Sequence, residues 1–411
     1  MTGIYAFLVA AYDLKFAGSF SLAELVSFLL ILIAASRKKN YKLDFNSLLL
    51  LFFMFWLLVS TLDLNFEKYY SSSAFTNNML RFSIYFLGFI TLPQFFLNKE
   101  RLTILFKNLI YATIIISIIG IIQFFLIQFN IKAEIRIANI LTNKNSSLEI
   151  ERITSVFSEP AHLSIYLGMI LSLSFNFYKN HPKPKSYKYL VLLGALNLIL
   201  ATSLTGFLIL MYLLFMMFYD RDVKKGELAG KLKSTFILLF VSFIVFIVVI
   251  QIDFLNDKIF ERFYSVAEMD DGSANQRILG GFEFASNVLS EHPVTGIGLG
   301  QAASYYNSGN FVFANYWVGE EESGGGVNNI FISTFIQSGI VGLLLFSLFM
   351  VNLYKENKYL LFMCIIICFS WGYFNTPLFW FYFFISKAIQ KKQFDKTHTP
   401  ISKFKTKQIF I

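Results

Sequence analysis

Charge is what this chain has least of. Only 15% of its 411 residues are Asp, Glu, Lys or Arg, against about 25% in soluble domains. Hydrophobic residues make up 56% and aromatics 18%, and mean hydropathy is +0.58. These values exclude an ordinary soluble domain and point to a chain that crosses a membrane several times. The ten-residue alternating segments of a membrane β-barrel are missing, which leaves helices. Cysteine is nearly absent. Cys364 and Cys368 lie four apart on an apolar run, a poor arrangement for a disulfide and one without metal-binding neighbours, so they read as small hydrophobes. Histidine is sparse and scattered, at 162, 181, 292 and 398, which argues against a histidine metal site. No GxxxxGK[ST], HExxH or GxSxG occurs, so nucleotide hydrolysis, zincin chemistry and a serine elbow lack their signatures. The expectation is a protein without metal or cofactor. Asp270-Asp271 beside Gly272 reads as a solvated turn, with divalent-cation binding as the alternative.

What is there is a series of apolar runs, most of about 17–25 residues, the length that crosses a ~30 Å hydrocarbon core as helix. Runs fall near 3–18, 20–36, 46–62, 80–97, 104–127, 161–178, 236–252, 327–350, 359–374 and 377–389. The stretch 189–219 is too long for one span without strong tilt. Ser203-Leu204-Thr205-Gly206 breaks it, so it reads as a hairpin of two short helices. No basic region precedes the first run, which therefore reads as a retained span instead of a cleaved signal. The fold expected is all-α, a single integral membrane domain over 1–411 with about twelve transmembrane helices (bounds of about ten and thirteen).

Basic loops at 37–42, 99–107, 179–188, 221–233 and 355–358 alternate with neutral or acidic ones at 63–78, 130–160 and 253–326. With the basic tail, 390–411, they predict both termini in the cytoplasm and the two large loops outside. The large loop is expected to contain short helices. Between Asp253 and Asn352 eleven acidic residues face three basic ones, inside a chain of net charge +9. The tail suits anionic lipid. Basic residues divided among loops on one membrane face do not suit nucleic acid.

Polar residues beside the outward ends of helices are the candidates for chemistry. In Arg152-Ile-Thr-Ser-Val-Phe-Ser-Glu159-Pro160 the proline suits a first helical turn. Glu159 is either a helix-end carboxylate favoured by the dipole or a working group. Arg277 opens an amphipathic stretch, 276–289, suited to lying on the membrane or packing on the bundle. His292-Pro293 follows, and then Gly296-Ile-Gly298-Leu-Gly300. Those glycines either cradle an anion with their amides or supply positive φ to a tight loop. Tyr305, Tyr306, Phe311, Phe313, Tyr316 and Trp317 either stack on sugars or anchor at the interface. Asn328 and Asn329 head an apolar helix, as caps or as substrate contacts, and Gly339 and Gly342 in that helix allow close packing. Two arginines, a glutamate, a histidine and a glycine turn on one face suit an anionic headgroup. Arginine forks match pyrophosphate, and a carboxylate or imidazole can take a proton from an attacking hydroxyl.

These blocks resemble the O-antigen polymerase/ligase superfamily, the Wzy-type polysaccharide polymerases and their ligase relatives. RITSVFSEP resembles the family's Arg-x-x-Gly-x-Phe-x-Glu-Pro block, with Ser155 where glycine is usual. Arg277 with HPVTGIGLG resembles its Arg…His-Pro-x-x-Gly-x-Gly block. NNIFISTFIQSGIVGLLLF resembles a His-Asn-x-x-Leu…Gly-x-x-Gly block, with Asn328 where histidine is common. SLTG resembles Ser-Arg-Thr-Gly, with Leu204 in place of arginine.

The resemblance implies a bacterial plasma-membrane glycosyltransferase that polymerises undecaprenyl-diphosphate-linked oligosaccharide repeats into a surface polysaccharide on the outer face, with no metal or nucleotide. A ligase passing glycan to a lipid or protein acceptor is the close alternative, and a lipid-linked oligosaccharide flippase or transporter the more distant one. A chain-length regulator and a flippase are the implied partners. In this reading Glu159 and His292 are catalytic, orienting or deprotonating the acceptor. Arg152, Arg277, Gly296, Gly298, Gly300, Asn328 and Asn329 bind substrate, the two arginines holding the pyrophosphate.

Overall fold

The computed structural model describes residues 5–6, 9, 15–17, 20–37, 43–62, 70–129, 153–157, 159–179, 181–219, 279–307, 327, 329–355, 357–372 and 376–397. Two short antiparallel strands, β1 (Lys15–Ala17) and β2 (Phe20–Ser21), lead into the helices. These are α1 (Leu22–Arg37), α2 (Phe45–Leu62), α3 (Ser72–Phe96), α4 (Lys99–Gln128), α5 (Pro160–Tyr178), α6 (Ser186–Leu200) and α7 (Leu204–Tyr219). They continue with α8 (Leu279–Glu291), α9 (Ala302–Asn307), α10 (Ile330–Tyr354), α11 (Lys358–Ser370) and α12 (Pro377–Thr397).

The expectation of about twelve spans does not hold. Among the described residues four helices, α2, α3, α4 and α10, are long and apolar enough to cross a membrane. Four reasons account for the shortfall. The run at 189–219 breaks into helices of 15 and 16 residues, about 22–24 Å each and short of a ~30 Å core; α1 and α11 are similarly short. Next, α5 carries His162, Ser164, Ser172, Ser174 and Asn176 among its apolar residues, and neighbouring helices enclose it. Finally, α12 runs past its apolar half into Lys387 and Lys391, while the runs expected at 236–252 and across most of 3–18 lie outside the described residues.

Polar residues at the helix starts explain where the elements begin. Ser21 and Glu24 exchange backbone–side-chain bonds of 2.7 and 3.2 Å across the first turn of α1, a capping box. Asp44 accepts from the Ser47 amide at 3.0 Å, Asn98 from Glu100 and Arg101, and Asn329 from Phe331 and Ile332. Each satisfies amides that a helix start leaves without intrahelical partners.

Helix α5 forms the middle of the bundle, touching α4, α6, α7, α11 and α12. Gly168 lets α7 and α11 close on it, since a Cβ there would lie 2.4 Å from Met363 Cε and 2.7 Å from Ile209 Cγ2. Helix α2 packs on α10, and α3 packs on α12 and α1. The α3–α12 seam is aromatic, with Trp380 stacked on Tyr85 at 5.6 Å and edge-on to Phe82 at 5.4 Å.

Cross-helix bonds define two ends. At one, Lys387 Nζ lies 3.0 Å from Asp44 Oδ1 and Lys391 Nζ 3.1 Å from Oδ2. Asn352 donates to Asn46, and Asn357 to Asn176 at 2.9 Å. Burial pushes the Asp44 carboxyl up, but Lys387, Ser47 and Lys391 outweigh it and hold the group well below the usual carboxylate range. At the other end lie the C-termini of α2, α4, α6 and α11, the N-termini of α3, α5, α7 and α10, and the 292–301 loop, joined by the bonds described next.

A candidate site at the polar end of the bundle

The loop after α8 is built into the side of α10. In an unbroken helix the Ile340 amide would donate to the Ile336 carbonyl. Here that rung is open: Ile340 N donates to Pro293 O at 3.1 Å, and Ile336 O accepts from Ile297 N at 2.9 Å. The opening occurs at Gly339, whose φ of 63° and ψ of −167° fall where essentially only glycine sits. A Cβ at Gly339 would lie 2.1 Å from Val294 O, and one at Gly296 (φ 68°) would lie 2.4 Å from Ile336 O. Both clashes are with backbone, so two glycines on opposite segments permit the contact. Trp56 of α2 supports the break by donating from Nε1 to Ser338 O at 2.8 Å.

The rest of the glycine turn is tied to its own loop and to α2 and α10. The Gly296 amide donates to His292 O at 2.9 Å, Leu299 N to Thr61 Oγ1 at 2.9 Å, and Gly300 N to Gln337 Oε1 at 2.8 Å. With Ile297, these amides are committed inside the protein, so the turn's evident job is to seat the loop. Gln301, fully buried, clamps the start of α3. Its Oε1 accepts from Ser71 N at 2.7 Å, and its Nε2 donates to Ser71 O at 3.0 Å. Beyond it, Tyr305 donates to Glu291 Oε2 at 2.7 Å and its ring stacks on Phe284, fixing α9 against α8. The inner face of α8, with Phe284, Ala285 and Val288, packs into one cluster with Ile332 and Ile336 of α10.

The second part is the entry to α5. The amides of Thr154 and Ser155 both donate to Gln123 Oε1 at 2.8 Å, and Ser155 Oγ donates to Ile116 O at 2.7 Å. Ser155 has φ 53°, which explains why the resembling block carries glycine there. The chain then reaches Glu159, whose side chain makes no capping bond and is exposed. One turn later the half-buried His162 stacks on Trp371 with centroids 4.9 Å apart. The neighbouring α6–α7 hairpin turns at Ala201–Ser203, and Gly206 lies against Ser164.

Of the residues singled out from the sequence, Glu159, His292, Gly296, Gly298, Gly300 and Asn329 are described and share this end of the bundle. Asn329 is the cap of α10 and His292 is half-buried just after α8. Arg152, Arg277 and Asn328 lie outside the described residues. Sequence reasoning missed Gln123, Gln301, Thr61 and Trp371, which hold the loops or frame the site. Lone residues of these types carry no spacing signal. Among the described residues no group of three or more His, Cys, Asp or Glu converges as a metal site.

A multi-pass membrane protein with a polar loop assembly at one end is the class these features define. Within the chain, residues 189–347 match the family model Wzy_C, described as O-antigen ligase. The match covers less than half of the chain. It includes the α6–α7 hairpin, α8, the glycine turn and most of α10, with Arg277, His292, Asn328 and Asn329, but not Arg152 or Glu159. No curated protein matches the chain.

Proposed function

We propose that this chain is an O-antigen-ligase-type glycan transferase, moving glycan from an undecaprenyl-diphosphate carrier to a sugar hydroxyl on a lipid or protein acceptor. The observation that carries the reading is the ligase-family match over residues 189–347, which favours transfer to a separate acceptor over the polymerase reading drawn first from the sequence. In the step proposed, the acceptor oxygen bonds to the anomeric carbon and the bond from that carbon to phosphate oxygen breaks. Undecaprenyl diphosphate leaves, and the acceptor proton passes to Glu159 or His292. Arg152 and Arg277 hold the diphosphate and offset the charge on the leaving oxygen. The glycines at 296, 298 and 300 seat the loop that presents His292, and Asn328 and Asn329 serve as substrate contacts.

The side chain of Glu159, exposed and not spent as a cap, supports its assignment as a working carboxylate. The lysines gathered at the opposite end (Lys99, Lys179, Lys183, Lys185, Lys355, Lys358, Lys387 and Lys391) support a cytoplasmic position for that end and an outward site. Polymerisation is the second reading, favoured by Asn328 where histidine is common in the resembling block. Deleting the gene separates the two. Loss of a ligase leaves finished polymer on the carrier lipid, whereas loss of a polymerase leaves single repeats on the acceptor. Unchanged glycans in the deletion strain would sink both.

A further inference from the structure

The open rung of α10 has a consequence for depth. Trp56, bonded to Ser338 O, lies six residues before the end of α2 at Leu62, so the seat of the loop is about 9 Å inside that helix end at 1.5 Å per residue. The turn Pro293–Ile297 rests against Gly339 and Ile340 at this level, and the chain climbs back to Thr61 by Leu299. Val294 and Ile340 are each about half exposed. Ile340 begins a stripe with Leu344, Leu348 and Val351, all exposed and at the helical spacing that keeps one face of the span α10 outward. Phe282 and Leu289, seven residues apart on α8, are exposed as well, beside the face packed on α10.

We infer that Pro293–Ile297 is a re-entrant wedge whose outer surface, led by Val294, contacts lipid hydrocarbon, and that Gly339 positions it by holding the rung of α10 open. Irregular backbone at membrane depth requires its polar groups to be met by protein. The Ile336 carbonyl accepts from the Ile297 amide and the Ile340 amide donates to the Pro293 carbonyl, so both ends of the wedge are met by α10. His292, immediately before the wedge, is thereby set at the boundary between hydrocarbon and headgroups. The inference depends on α10 crossing the bilayer and not on the transfer reading, so the two fail separately.

The test uses the full chain in phospholipid vesicles with Cys364 and Cys368, both buried, replaced by alanine. A nitroxide is placed at Val294→Cys, at Leu344→Cys as the lipid reference and at Ser290→Cys as the aqueous reference. Collision with oxygen and with a polar nickel chelate reports depth. The Val294 label is expected to behave like Leu344, with several-fold lower nickel access than Ser290. A Val294 label as open to nickel as Ser290 overturns the inference. Adding Gly339→Ala, whose Cβ cannot coexist with Val294 O, is expected to raise nickel access at Val294 toward the Ser290 level, and no change overturns the role of Gly339. Should that variant not fold, a Val294→Cys, Ile340→Cys pair decides in the glycine parent: a disulfide on mild oxidation supports the seat, and its absence refutes it.

Discussion

Replacing Gln301 with leucine tests how the loop assembly is anchored. The side chain is fully buried and makes three bonds: from Ser71 N at 2.7 Å, to Ser71 O at 3.0 Å and to Leu299 O at 3.3 Å. Leucine keeps the approximate volume but offers no donor or acceptor, so the packing cost is small and the polar cost dominates. Ser71 loses the partner of its amide, while its carbonyl keeps the Phe75 amide at 3.1 Å. A buried group left unmet costs about 1–3 kcal/mol. Because Ser71 is only half-buried, water recovers part of this, and the net loss expected is about 1–2 kcal/mol. In detergent the Gln301→Leu protein should melt several degrees below its parent. Hydrogen exchange should quicken at the Ser71 amide and leave the α5–α7 interface unchanged. A melting temperature within a degree of the parent, with Ser71 still protected, would refute the claim that this side chain clamps the loop to α3.

Other expectations follow from the same geometry. Ser155→Gly should be close to neutral in thermal melts, because relief of the positive φ offsets the lost bond to Ile116 O, whereas Ser155→Val should cost about 2 kcal/mol or more. The depressed Asp44 carboxyl contributes stability that is fully present above the unfolded carboxylate value of about 4 and is lost as pH falls through the lower folded value. Melting curves of the parent and Asp44→Asn should therefore differ at neutral pH and converge in strong acid. Glu159→Gln and His292→Ala should each lower glycan transfer by about 100-fold or more if they handle the acceptor proton, with melting temperatures unchanged.

Much of the helical framework is legible in the sequence, for a simple reason. The apolar runs at 46–62 and 104–127 are long and preceded by polar caps, and they fall inside α2 and α4. The break read at Ser203–Gly206 lies where α7 starts. Spans were overcounted where apolar composition was taken for spanning length: α6, α7 and α11 are apolar but short, and α5 mixes serine, histidine and asparagine into a helix that faces protein on nearly every side. The open rung of α10 was not readable. Gly339 looks like a small packing residue until Pro293–Ile297 is seen to take both of its helix's unpaired groups, and that contact joins segments distant in the chain. Of the candidate site, the glutamate, the histidine and the glycine turn lie at one end of the bundle, while Arg152, Arg277 and Asn328 lie outside the described residues. The glutamines that anchor the surrounding loops left no pattern to read.

The central claim is that glycan leaves a carrier diphosphate for a separate acceptor. It is tested most directly by incubating the purified chain in detergent with an undecaprenyl-diphosphate-linked glycan and a lipid-anchored sugar acceptor. The account predicts release of undecaprenyl diphosphate matched by glycan on the acceptor, and loss of both with His292→Ala and Glu159→Gln together. A folded protein that leaves the donor intact, or that joins donor glycans to one another while ignoring the acceptor, would contradict it.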